Sequence, residues 1–189
     1  MRNLITGRRG TIVVGLWVLI IGAVQPTMAT PDSNSIIVDS IEYYFQTDKS
    51  VYTLGENVEM LYRVTNLREE GEDSVTFTFP HSPEYQFWVE QDEEQIWKAI
   101  QWRADIPTAF TLLPGEYRVF PFSSPFNWNM RDNGNNLVDL GRYKVIGGLY
   151  NGLGTYDYTK VAVSIDIIPE PSTLILFGVG FAQIIRKKC

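Results

Sequence analysis

The chain has 189 residues, one Cys, one His and a formal net charge of −6 at pH 7. So few thiols and imidazoles exclude a disulfide framework and the usual Cys/His zinc clusters. The acidic balance argues against nucleic acid and anionic lipid as partners.

Residues 1–29 have the layout of a secretory signal peptide. Arg2, Arg8 and Arg9 form a charged start, Thr11 to Val24 an apolar run, and Thr27-Met28-Ala29 a site with small residues at −3 and −1. Cleavage is expected after Ala29. Gly10-Thr11 stand where a twin-arginine signal has bulkier apolar residues, so general secretion is the expected route. No Cys directly follows the apolar run, which excludes a lipoprotein anchor. The competing reading is an uncleaved anchor helix.

Residues 35–168 are the length of one domain. The body from 30 to 168 holds ten Lys/Arg and twenty-one Asp/Glu, a net of −11, because the two terminal segments are basic. It has no Cys, so an exported fold must rest on its core alone.

The body reads as β throughout. Val58, Met60, Tyr62 and Val64 alternate with Glu59, Leu61, Arg63 and Thr65, the period of a half-buried strand. The same rule holds for Val75/Phe77/Phe79, Tyr85/Phe87/Val89, Tyr143/Val145/Gly147 and Val161/Val163/Ile165/Ile167. Between them lie turn residues: Leu54 to Asn57, Glu69 to Asp73, Gln91 to Glu94, Pro114-Gly115-Glu116 and Asp132-Asn133-Gly134. No stretch keeps helical periodicity over three turns. The expected fold is all-β, an immunoglobulin-like antiparallel β-sandwich of seven to nine strands, flanked by an N-terminal signal helix and a C-terminal hydrophobic helix. Its expected core is Val58, Met60, Tyr62, Val64, Phe77, Phe79, Tyr85, Phe87, Val89, Trp97, Tyr143, Val145, Val161 and Val163.

Little in this body points to catalysis, and no catalytic residue, metal site or cofactor is expected. His81, in Pro80-His81-Ser82-Pro83, reads as a surface turn histidine with no nucleophile elbow near it. Asp132-Asn133-Gly134-Asn135-Asn136 offers oxygen ligands at alternate positions, but lacks the glycine and glutamate spacing of a calcium loop. It reads as a structural turn, with a calcium site as the alternative. Gly147-Gly148 and Gly152-Leu153-Gly154 lack the Lys-Ser/Thr of a phosphate loop and suggest a flexible hairpin loop with Asn151. Asp92-Glu93-Glu94 reads as a solvated hairpin tip. Trp88, Trp102 and Trp128 would suit stacking on sugars if exposed, or core packing if not.

Several of these pieces together resemble the BsuPI domain, the family of a bacillar intracellular proteinase inhibitor. They are Tyr52-Thr53-Leu54-Gly55-Glu56-Asn57-Val58, Val64-Thr65-Asn66, Val75 to Phe79 and Tyr85-Gln86-Phe87-Trp88-Val89, continuing through Ile96-Trp97, Thr111 to Glu116, Phe126-Asn127-Trp128 and Asp132-Asn133-Gly134 to Gly141-Arg142-Tyr143-Lys144-Val145. The likeness covers about Ser40 to Gly148. Gln86 replaces the acid of the family's Tyr-Asp-Phe. The resemblance implies a β-sandwich and proteinase binding, although the namesake is cytoplasmic and no reactive loop stands out here.

The tail runs from Pro169 to Cys189. Pro169-Glu170-Pro171 is followed by an apolar run, Leu174 to Ile185, broken only by Gln183, and then by Arg186-Lys187-Lys188. As a helix the twelve-residue run reaches about 18 Å, short of the ~30 Å hydrocarbon core unless flanking residues help. It is a marginal membrane segment or a buried terminal helix, and the basic end favours the membrane with the C-terminus inside. These three parts in this order resemble the PEP-CTERM sorting signal of Gram-negative bacteria. That resemblance implies an exported protein anchored as a precursor and processed by exosortase, a membrane protease or transpeptidase that cuts near the motif. Cys189 would leave with the discarded tail.

Three functions fit these readings. One is a non-catalytic surface or extracellular-matrix protein binding protein or exopolysaccharide. The second is an extracellular proteinase inhibitor of BsuPI type. The third is a small carbohydrate-active enzyme using Asp92, Glu93, Glu94 or Glu116, for which no catalytic domain is visible.

Overall fold

The computed structural model describes residues 30–81, 83–99, 105–120, 127–150 and 157–170. The signal segment to Ala29 and the tail from Pro171 onward, with both expected helices, lie outside the described residues.

The described chain is a β-sandwich. One layer has four strands in the order β1 (Asp32–Val38), β2 (Ile41–Thr47), β4 (Met60–Asn66), β9 (Tyr117–Phe120). The other has five: β3 (Val51–Thr53), β11 (Val161–Ile168), β10 (Gly141–Leu149), β6 (Tyr85–Gln91), β7 (Glu94–Lys98). A separate ribbon pairs β5 (Val75–Phe79) with β8 (Thr108–Leu112). Among the described residues the helical content is one 3-10 turn, Asp157–Thr159. Eleven strands lie among the described residues, above the seven to nine expected. One pair, β3 with β11, is parallel rather than antiparallel.

The alternation read from the sequence fills the space between the layers. Met60, Tyr62 and Val64 on β4 face Tyr143 and Val145 on β10 and Val161, Val163, Ile165 and Ile167 on β11 in one buried cluster. Ile41, Tyr43 and Phe45 on β2 join it with the same period, although the β1–β2 hairpin was not foreseen. Asp39 and Ser40 close that hairpin as a two-residue turn, both at positive φ (51° and 62°), which matches the right-handed strand twist.

Three expectations about the core change. Phe77, Tyr85 and Trp97 are half-buried and pack against the core rather than inside it. Phe77 instead stacks on Phe110 across the ribbon at 4.8 Å, and Phe110 meets Phe120 edge-on at 5.9 Å, joining the ribbon to the sandwich. Strand β6 does not alternate cleanly, because Gln86 and Trp88 on its outward face are buried as well. Gly147 and Gly148 are not loop residues; both lie inside β10 and are buried. A Cβ on Gly147 would sit 2.7 and 2.9 Å from the Phe45 ring and 3.1 Å from Phe87. The glycine is there to let the two layers approach.

Trp128 is tied to the segment that joins β3 to β4. It bridges Val58 with two backbone hydrogen bonds, its indole N–H donates to Arg131 O at 2.8 Å, and its ring is fully buried against Tyr143 at 5.5 Å.

Candidate functional site

The sorting motif begins where the ladder ends. Strand β11 lies between β3 and β10, and its last residue is held when Leu54 N–H donates to Ile168 O at 3.1 Å. Pro169 has no N–H to continue the ladder, so the chain leaves the sheet at Pro169 and Glu170. Pro171, Arg186, Lys187 and Lys188 lie outside the described residues, as does Ala29. No helix among the described residues is long and apolar enough to cross a membrane.

The acids and the histidine singled out in the sequence do not converge. Asp92 and Glu93 form the two-residue tip between β6 and β7, at φ 50° and 68°. Glu116 Oε2 accepts from Leu113 N–H at 2.8 Å and locks its own turn. Asp132 Oδ1 accepts from Asn136 N–H at 2.8 Å, while Asn136 Nδ2 donates to Oδ2 at 3.1 Å. These bonds hold the Asp132 carboxyl below its usual pKa and spend its oxygens on the turn. Asn133 ties the turn to β7, accepting from Lys98 N–H at 3.1 Å. This is the structural turn of the first reading. No cluster of three or more His, Cys, Asp or Glu suited to a metal occurs among the described residues. His81 Nδ1 sits 3.2 Å from Asp105 Oδ1, yet outside hydrogen-bonding geometry, so the contact is an ion pair only when the ring is protonated.

The tryptophans divide. Trp128 is core, Trp97 is half-buried beside it at 6.4 Å, and Trp102 lies outside the described residues. Trp88 is the informative ring. It points outward from β6 but is only 7% exposed, covered by side chains that line a groove of about 710 Å³ on the outer face of the five-stranded sheet.

Register builds the floor of that groove. Ile146 on β10 pairs with Trp88 on one side and Ala162 on the other, and Trp88 pairs with Lys98 on β7. One step along, Lys144 pairs with Glu90 and Ser164. Trp88 Nε1 donates to Glu90 Oε1 at 2.8 Å, which fixes the indole. Gln86 Nε2 donates to Ala99 O at 2.7 Å. Tyr150, Asp157, Lys160, Gln95 and Lys98 line the sides of the groove. Lys160 Nζ is 2.7 Å from Asp157 Oδ1 and 5.9 Å from the Trp88 ring centre, and Lys98 Nζ is 5.5 Å from the centre of Tyr150. The lysines were not singled out in the sequence, and Gln86 only as the departure from Tyr-Asp-Phe. The available signal was the outward set of β6 and β10, where Gln86, Trp88, Lys144 and Ile146 mix large apolar with polar residues.

A family model described as the PEP-CTERM protein-sorting motif matches residues 168–187. No curated protein matches the sequence. Among solved structures the chain is similar to a β-glucosidase from Erythrobacter marinus, at 14% identity and TM-score 0.39, over 74% of this chain and 16% of that one. It is similar to the CARDB domain of a Pyrococcus furiosus protein in complex with di-metal ions, at 13% identity and TM-score 0.36, over 74% and 96% of the two chains. It is also similar to the sporulation control protein Spo0M from Bacillus subtilis, at 18% identity and TM-score 0.36, over 75% and 50%.

Proposed function

We propose that this chain is a non-catalytic protein of the cell surface or extracellular matrix, exported, anchored as a precursor and sorted by exosortase. Its immunoglobulin-like sandwich then binds protein or exopolysaccharide. The observation that carries the reading is the match to the sorting motif at residues 168–187, which starts at the last residue of β11. A processing enzyme needs an extended segment outside the sheet. Two prolines around Glu170 keep the segment from entering helix and from rejoining the sheet. Arg186, Lys187 and Lys188 orient the apolar run so that this segment meets the outer face of the membrane.

Each part has a separable role, which makes the reading testable. Changing Pro169-Glu170-Pro171 to Ala-Ala-Ala should leave export intact and retain uncut protein in the membrane fraction of an exosortase-containing host. Release of the variant at the wild-type rate would refute recognition through the motif. The inhibitor reading rests on the resemblance to the BsuPI domain, which spans β2 to β10. Weak or no inhibition of subtilisin-like and trypsin-like proteases is expected, and stoichiometric nanomolar inhibition of either would put that reading first.

A further inference from the structure

We infer that the groove over Trp88 is a binding site for a carboxylate-bearing polysaccharide, with Lys98, Lys144 and Lys160 engaging the carboxylates. This rests on the surface-protein reading and names its ligand class. Residues 30–168 contain four lysines in a body of net charge −11, and three of the four line this one groove. Lys160 is shared with Asp157, whereas Lys98 and Lys144 have no carboxylate within ion-pair distance among the described residues. Charges on the rest of the body are screened over about 8–10 Å at ordinary salt, so a ligand lying in the groove meets chiefly its own lining, three lysines against Glu90, which is bonded to Trp88, and Asp157, which is paired with Lys160.

The floor selects between kinds of anion. Strands β6 and β10 are interior, each paired on both sides, so the floor offers no free N–H or C=O edge to an extended peptide. A nucleic acid needs a run of phosphate contacts that three lysines on an acidic body do not supply. What the groove does offer is the small exposed margins of Trp88 and Ile146, with Ala162, for the apolar edge of a sugar and the Gln95 amide for its hydroxyls; the Gln86 amide N–H is already spent on Ala99 O.

The test uses the full chain purified in detergent, titrated with polygalacturonate, neutral dextran and poly-glutamate at about 0.1 M salt, where the screening length is about 10 Å. Polygalacturonate should bind at least about tenfold more tightly than dextran or poly-glutamate, and binding should weaken as salt rises. The triple variant Lys98→Gln, Lys144→Gln, Lys160→Gln should lose at least about tenfold while keeping the wild-type melting temperature. If that variant does not fold, Lys144→Gln alone should lose about threefold, since its ammonium is exposed and outside the core. Equal binding of dextran, equal or tighter binding of poly-glutamate, absence of polygalacturonate binding, or unchanged affinity in the folded lysine variants would each overturn the inference. The lysine variants should be exported and cut like wild type. Failure here therefore leaves the sorting reading standing, and an uncut wild-type tail leaves the groove result standing.

Discussion

Gly147 shows how closely the two layers are fitted. Its missing side chain is occupied by the Phe45 ring, and both Phe45 and Phe87 are fully buried. Gly147→Ala should destabilise the domain by about 1–3 kcal/mol through overpacking, read as a lower denaturant midpoint at unchanged slope. Phe87→Ala removes a ring that no disulfide compensates, and should cost about 3–5 kcal/mol. Three tyrosines make a pH prediction. Burial pushes the hydroxyls of Tyr43, Tyr52 and Tyr62 above their ordinary pKa of 10.0, aided at Tyr52 by its hydrogen bond to Asp48. A raised folded pKa contributes stability that is complete below the unfolded value and is lost as pH rises from there toward the folded one. Stability should therefore fall above about pH 10, with part of the phenolate absorbance appearing only with unfolding. A smooth titration of all ten tyrosines without unfolding would contradict this burial.

Two hairpins set the register at the element scale, and neither carries an Asn-Gly signal. Asp39-Ser40 joins β1 to β2 and Asp92-Glu93 joins β6 to β7, with all four residues at positive φ. Left-handed backbone costs side-chain-bearing residues about 1–2 kcal/mol each, less for Asp. Replacing Asp92-Glu93 by Asn-Gly should raise the unfolding free energy by about 1 kcal/mol. A loss of stability would mean that these side chains make contacts the turn depends on. The same residues explain what the sequence concealed. The alternation Ile41, Tyr43, Phe45 was present, but its turn, Asp39-Ser40, lacks the glycine that would announce a two-residue hairpin. Val58 to Val64 and Val161 to Ile167 were legible because each buries one face only. Period two assigns Gln86 and Trp88 to the outward face and leaves open whether the Trp88 ring packs or is exposed; the side chains lining the groove around them come from the neighbouring β7 and from the segment after β10, which is distant in sequence. Gly147-Gly148 looked like a loop because glycine marks both turns and close approaches, and the ring that demands it is 102 residues away on Phe45.

At the scale of the whole molecule, the fold and the sorting tail meet at one residue. Strand β11 is interior, so a cut inside it would remove a strand paired on both sides, whereas a cut after Ile168 leaves every ladder bond in place. The lysine-lined groove lies near the start of the same strand, at Ala162, six residues or about 20 Å from Ile168. The tail was the most readable part of the chain, since order and chemistry of its three pieces are local in sequence. The groove was the least, since it exists only once four strands are paired. The central claim concerns the tail, and intact-mass spectrometry of the protein recovered from an exosortase-containing host tests it most directly. The account predicts a chain that starts after Ala29 and ends between Ile168 and the apolar run that begins at Leu174. Recovered protein still ending in Cys189 would contradict it and leave the tail a plain anchor.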